Sequence, residues 1–307
     1  MKRTLLTAVA AFGLMQSMNA QVAVIDTVIT GSGYANNIWY SLDNDNAATS
    51  PANNWHMAFA ASASQTSPLT ASVLFNYKMG EVYAVAGSNP ADFATFNLTP
   101  TELSALTPLY NSDTTWAHGA FNNTPSLGQF DYGWGSYDMV SHNVLANRIF
   151  VVKNTATSVY YKVIIDMLST QGKYVVKYAE LNSTTPTVKE IVLSQYSTKN
   201  FVYLSLTTGA LIDREPASTA WDLTFLQYTT DLGGGTMYPV AGVLHNQGVQ
   251  VAKVHPVNNP VTYTDWSAHT YSNKINTIGY NWKASGQSGV TIEDSTVFFV
   301  KAKDGDI

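Results

Sequence analysis

The sequence predicts an all-β fold of antiparallel sheets, built as two tandem copies of one unit. Short runs rich in Val, Tyr, Ile and Phe, such as 72–77, 81–85, 149–153, 159–167 and 174–179, are separated by clusters of Asn, Asp, Gly and Pro. The stretch Asn54-Trp55-His56-Met57-Ala58-Phe59 returns as Ala220-Trp221-Asp222-Leu223-Thr224-Phe225. Cysteine is absent and only 12% of residues are charged, while Thr, Ser, Asn, Ala and Tyr abound, a composition that suits an exported β protein better than a cytosolic enzyme. Antiparallel pairing is the default for short strands joined by tight turns.

In chain order, Lys2 and Arg3, an apolar run from Leu5 to Leu14 and small or polar residues to Ala20 read as a secretory signal over residues 1–20. That run is too short to span a bilayer, and no later segment is long and apolar enough to do so. Without a Cys, lipid attachment at a lipobox is excluded. Strands are expected at Val22–Ile29, Trp39–Leu42, Trp55–Ala61, Ser72–Tyr77 and Glu81–Val85. In the Trp55 strand, Trp55, Met57 and Phe59 would share one apolar face, which leaves His56 to face solvent or a loop. Asp43-Asn44-Asp45-Asn46 lacks the Gly and final Glu of an EF-hand loop and reads as a solvated turn. Thr99-Pro100-Thr101-Glu102 is a capping box, so a short helix is expected from there to Leu109. Asp231 before Gly233-Gly234-Gly235 reads as a loop that needs positive φ.

The two copies correspond along most of their length. Tyr40-Ser41-Leu42 matches Leu204-Ser205-Leu206; Val73-Leu74-Phe75-Asn76 matches Val243-Leu244-His245-Asn246; Trp116-Ala117-His118 matches Trp266-Ser267-Ala268-His269. Tyr132-Gly133-Trp134 to Lys153 aligns without a gap to Tyr280-Asn281-Trp282 to Lys301. The expected organisation is a first domain over 21–195 and a second over 196–307, each with its own core. The second copy ends where the first continues with two more strands, so it is expected to be incomplete at its C-terminus.

Taking Lys2 and Arg3 from the 16 basic side chains leaves 14 against 21 acidic ones, a net charge of −7. That balance argues against nucleic acid, which needs a basic patch. No His-Glu-x-x-His, Gly-x-Ser-x-Gly or Walker loop is present, and Gly133-Trp134-Gly135-Ser136 is ordinary turn material, so no catalysis is expected.

Phe201-Val202-Tyr203-Leu204-Ser205-Leu206-Thr207-Thr208-Gly209, Trp221 to Phe225, Asp231-Leu232-Gly233-Gly234-Gly235, Val297 to Lys301 and Asp304-Gly305-Asp306, in that order, resemble the HmuY family of bacterial haem-binding proteins. The first copy resembles it only at Trp55–Phe59 and around Phe150–Lys153. The resemblance implies two HmuY-like antiparallel β domains, export to the cell surface by a type IX system, and a cleft that grips haem and hands it to an outer-membrane receptor. It also implies iron ligands in the loops before and after the Gly-x-Trp strand. Haem bound without catalysis wants imidazole or thioether donors in an apolar slot. By that resemblance the candidates are His118, Met139 and His142 in the first copy and His269 in the second, with His118, His142 and His269 as imidazole ligands. The loop after Trp282 has neither His nor Met, which departs from the family. The rival expectation is a non-haem adhesin or glycan-binding module on the same scaffold, since fold does not fix function.

Overall fold

The structure is a computed structural model and describes residues 25–62, 71–286 and 289–306. The secretory signal and the start of the strand expected at Val22–Ile29 lie outside these residues. From 25 to 29 there is no strand, and Ile25 and Ile29 are exposed.

The strands of the first half are β1 (Asn36–Ser41), β2 (Asn46–Pro51), β3 (Met57–Ala60), β4 (Val73–Phe75), β5 (Gly80–Ala84), β6 (Gly135–Tyr137), β7 (Val144–Ala146), β8 (Phe150–Asn154), β9 (Tyr160–Ser169), β10 (Lys173–Glu180) and β11 (Thr187–Val192). Those of the second are β12 (Phe201–Leu204), β13 (Leu211–Ile212), β14 (Leu223–Asp231), β15 (Met237–His245), β16 (Gln250–Val254), β17 (Lys283–Gly286), β18 (Gly289–Ile292) and β19 (Val297–Lys301). Among the described residues there is one α-helix, α1 (Pro100–Ser104). Its capping box forms: Glu102 N–H donates to Thr99 Oγ1 and Thr99 N–H to the Glu102 carboxylate, at 3.3 and 2.7 Å. The helix stops well short of Leu109, because Leu109 N–H is drawn to Val82 O of β5. The fold is thus all-β, with antiparallel pairing throughout the named strands.

The largest sheet, in order β11-β10-β9-β7-β6 with β8 and β5 joined through β9, belongs to the first half. Its inward residues alternate: Tyr174, Val176 and Tyr178 of β10 join Val163 and Ile165 of β9 in the main core. The two four-stranded sheets are shared between the halves. One runs β15-β14-β1-β2 and the other β13-β12-β3-β4. Leu223, Thr224 and Phe225 of β14 pair with Tyr40, Trp39 and Ile38 of β1, while Met57 to Ala60 of β3 pair with Leu204 to Phe201 of β12. Each half therefore offers its leading strand to the Trp-bearing strand of the other.

Through this exchange the two halves share part of one core. Val202, Leu204 and Leu206 sit in one apolar cluster with Met57, Phe59 and the inward face of the first half's large sheet. Matching stretches nevertheless make matching contacts. Asn76 Nδ2 donates to Ala52 O and Trp55 O at 2.8 and 2.9 Å; Asn246 Nδ2 donates to Ser218 O and Trp221 O at 2.8 and 2.6 Å. Strand β5 pairs with β8 as β16 pairs with β19, Val82 opposite Val152 and Val251 opposite Val300.

Two further expectations change. Trp55 precedes β3 and packs with Ala58, Ala60, Phe201 and Tyr203, on the face opposite Met57 and Phe59. His56 is fully buried, because β3 lies between two strands and is covered on both faces. The loop at Asp231 follows its glycines: the Asp231 carboxylate accepts from Gly233 N–H and Gly235 N–H, with φ of 118°, 67° and 82° at Gly233, Gly234 and Gly235. Side chains rarely adopt such φ, so the three glycines belong to the turn itself.

Candidate functional site

The four residues singled out from sequence fall in three places. Met139 and His142 share the β6–β7 loop; Met139 is 67% exposed, and His142 is exposed with φ 59°. His142 Nδ1 lies 2.7 Å from the Tyr137 hydroxyl. His118 is exposed in another loop, where its carbonyl accepts from Ser112 N–H. His269 is half-buried beyond the short turn Trp266–Ala268, with Nε2 2.7 Å from the Tyr263 hydroxyl and its ring stacked on Phe299 at 6.0 Å.

None of these four lines the cavity that opens where the two shared sheets face each other. This cavity has a volume of about 90 Å³ and walls from both halves: Trp39, Trp55, Tyr77 and Trp116 from the first, Tyr203, Arg214, Glu215, Trp221, Thr224 and Tyr228 from the second. Leu223 and Phe225 turn to a separate apolar cluster, so alternation points Thr224 and Leu226 the other way, into the cavity. Trp221, which precedes β14, lines it as well. Trp116 closes one side, its Nε1–H donating to His245 O at 3.0 Å.

At the centre of the wall stands Arg214, only 8% exposed. Its guanidinium lies 5.0 Å from the Trp39 ring, 5.5 Å from Trp55 and 5.0 Å from Tyr203, and Nη2 donates to Pro51 O at 2.7 Å. Beside it Glu215 is also buried. Its Oε1 accepts from Asn200 N–H and Phe201 N–H at 2.5 and 2.8 Å, and Oε2 from the Tyr203 hydroxyl at 2.7 Å. Burial outweighs those donors and pushes the Glu215 carboxyl up to about 7. Five cavity-lining residues carry a buried polar atom with no hydrogen-bond partner among the described residues: Trp55 Nε1, Trp221 Nε1, Arg214 Nε, Thr224 Oγ1 and Tyr228 OH. Sequence reasoning missed this site. A signal was present in Asp213-Arg214-Glu215, a charged triplet in a chain with few charges and three arginines.

Glu215 and His56 give opposite pH dependences. Burial holds the His56 imidazole down to about 4, with Nδ1 accepting from Leu206 N–H at 3.2 Å. The unfolded chain takes up this proton near 6.5 and the folded one only near 4, so stability falls as pH drops through that window. His245, also lowered by burial, acts in the same direction. Glu215 is raised instead: the folded protein holds its proton up to about 7 and the unfolded chain only to about 4.5, so its contribution is lost as pH rises. The two slopes oppose each other between about 4.5 and 6.5. Glu215→Gln removes one of them. The variant is expected to lose up to about 3 kcal/mol more than the parent on acidification from pH 7 to 4.5, measured by urea unfolding. Parallel profiles for the two proteins would refute the assignment.

Comparison with known proteins finds no match to a family model, to a curated protein or to a solved structure. Among the described residues no helix is long and apolar enough to cross a membrane.

Proposed function

We propose that this is a non-catalytic binding protein whose ligand occupies the aromatic cavity between the shared sheets. The supporting observation is the concentration of five unpartnered buried polar atoms in the walls of one cavity. Native interiors leave few such atoms, and where they cluster they mark a place for a ligand or ordered water. The aromatic walls suit a flat or ring-shaped molecule, in keeping with a non-haem module that takes small polar ligands such as sugars. The carboxylates that line it are committed: Glu215 to three donors, Asp113 to the Thr230 hydroxyl and Asn276 Nδ2. No nucleophile–base pair is among them. A screen of mono- and disaccharides and small organic acids, followed by tryptophan emission, is expected to give a saturable shift. Thr224→Leu, which fills the space, is expected to abolish it. A screen without hits, with ordered water alone filling the cavity in a crystal structure, would refute the reading.

Haem is the second reading, supported by the HmuY resemblance and by a feature common to His142 and His269. In each, one ring nitrogen is held by a tyrosine hydroxyl while the other makes no hydrogen bond among the described residues. An imidazole fixed in this way suits a metal ligand, and Met139 shares the loop with His142. The pigment would lie against these loops, because none of the candidate donors lines the cavity. Export to the cell surface and delivery to an outer-membrane receptor belong to this reading. Haemin is then expected to give a shifted Soret band that weakens in His142→Ala or His269→Ala and is untouched by Thr224→Leu. A spectrum indistinguishable from free haemin would remove haem from consideration.

A further inference from the structure

We propose that the cavity takes a small carboxylate, held by the Arg214 guanidinium and the indole N–H groups of Trp55 and Trp221. This deepens the reading of the cavity as a ligand site and rests on it. The first ground is the chemistry of the unmet atoms. Trp55 Nε1, Trp221 Nε1 and Arg214 Nε can only donate, and the Thr224 and Tyr228 hydroxyls can donate too. What they lack is an acceptor, and a carboxylate brings two oxygens with about four acceptor sites.

The second ground is the contrast between two buried arginines. Arg148, 6% exposed, pairs with Asp131 at 3.1 Å and also donates to Asn147 Oδ1 and Pro125 O. Arg214 is as buried, yet among the described residues no carboxylate oxygen lies within 4.0 Å of it. Buried arginines are almost always paired. Three aromatic rings hold this one in place, but they do not use its Nε–H. Glu215 and the Tyr203 hydroxyl lie near enough to favour the charged guanidinium, but neither meets its Nε–H. Asp113 is occupied as described, and Lys78 at the rim donates to Gly33 O and Tyr34 O.

The test uses propionate and its uncharged isostere propionamide, titrated at constant ionic strength and pH 7.5 with tryptophan emission and calorimetry as readouts. Propionate is expected to bind about tenfold or more tighter than propionamide, since a charge-assisted bond to a buried guanidinium is at stake. Arg214→Lys, which loses the planar fork, and Trp221→Phe, which keeps a ring but removes the N–H, are each expected to cut propionate affinity severalfold. Trp221→Phe gives the readout should the lysine variant fail to fold. Propionamide or methyl glucoside binding as well as propionate, with Trp221→Phe unchanged, would overturn the carboxylate while leaving the cavity as a binding site. No binding of any probe, with ordered water alone in the cavity, would overturn both.

Discussion

Expressed alone, the fragment 196–307 is expected to stay unfolded, and co-expression with 25–195 is expected to restore a folded complex. In isolation β14 loses β1 and β12 loses β3, and two of the remaining sheets, β16-β19 and β17-β18, have only two strands each. Two-stranded sheets are marginal in water without a third strand or a packed face. The first half fares better, since it keeps its seven-stranded sheet, but Met57 to Ala60 lose the cover of β12 and the main core loses Val202, Leu204 and Leu206. Its melting temperature is expected to fall by at least about 10 °C relative to the whole chain. Circular dichroism and amide dispersion of each fragment, alone and mixed, provide the check. A cooperative melt for 196–307 by itself would show that the strand exchange is dispensable.

Asn246→Ala is expected to cost about 3–5 kcal/mol, far more than its size suggests. Asn246 is fully buried and its side chain makes four hydrogen bonds: to Ser218 O and Trp221 O, and from Asn200 Nδ2 and Gln247 N–H at 2.7 Å each. Alanine leaves these groups unmet inside the protein, where each orphaned group costs about 1–3 kcal/mol. Asn76→Ala removes the matching clamp on Ala52 O and Trp55 O, and is expected to cost about 2–4 kcal/mol. Asn246→Asp also fails, because a carboxylate cannot donate to two carbonyls. Urea unfolding of the three variants decides the matter, and a loss below about 1 kcal/mol at Asn246 would refute the clamp.

What was legible in sequence is what depends on near neighbours along the chain. The Thr99–Glu102 capping box and the positive-φ glycines after Asp231 are local chemistry and form as read, and Asp43 to Asp45 lie in a turn that ends where β2 begins at Asn46. The matched Trp strands and the paired Val-Leu-x-Asn stretches were visible as words, and the two asparagines occupy equivalent places. The burial of His56 is not legible in sequence, because alternation assigns faces to a strand but does not say how many of its faces are covered.

By itself, then, the sequence determined the all-β class, the turns and the helix cap, since each of these rests on residue type and short-range spacing. Only the tertiary structure decided which strands pair. Backbone ladders carry no mark of their partner, so β1 and β12 were free in principle to join either Trp strand. That choice put Trp55, Trp221 and Arg214 around one cavity with donors unmet. The site exists because strands far apart in sequence exchanged partners.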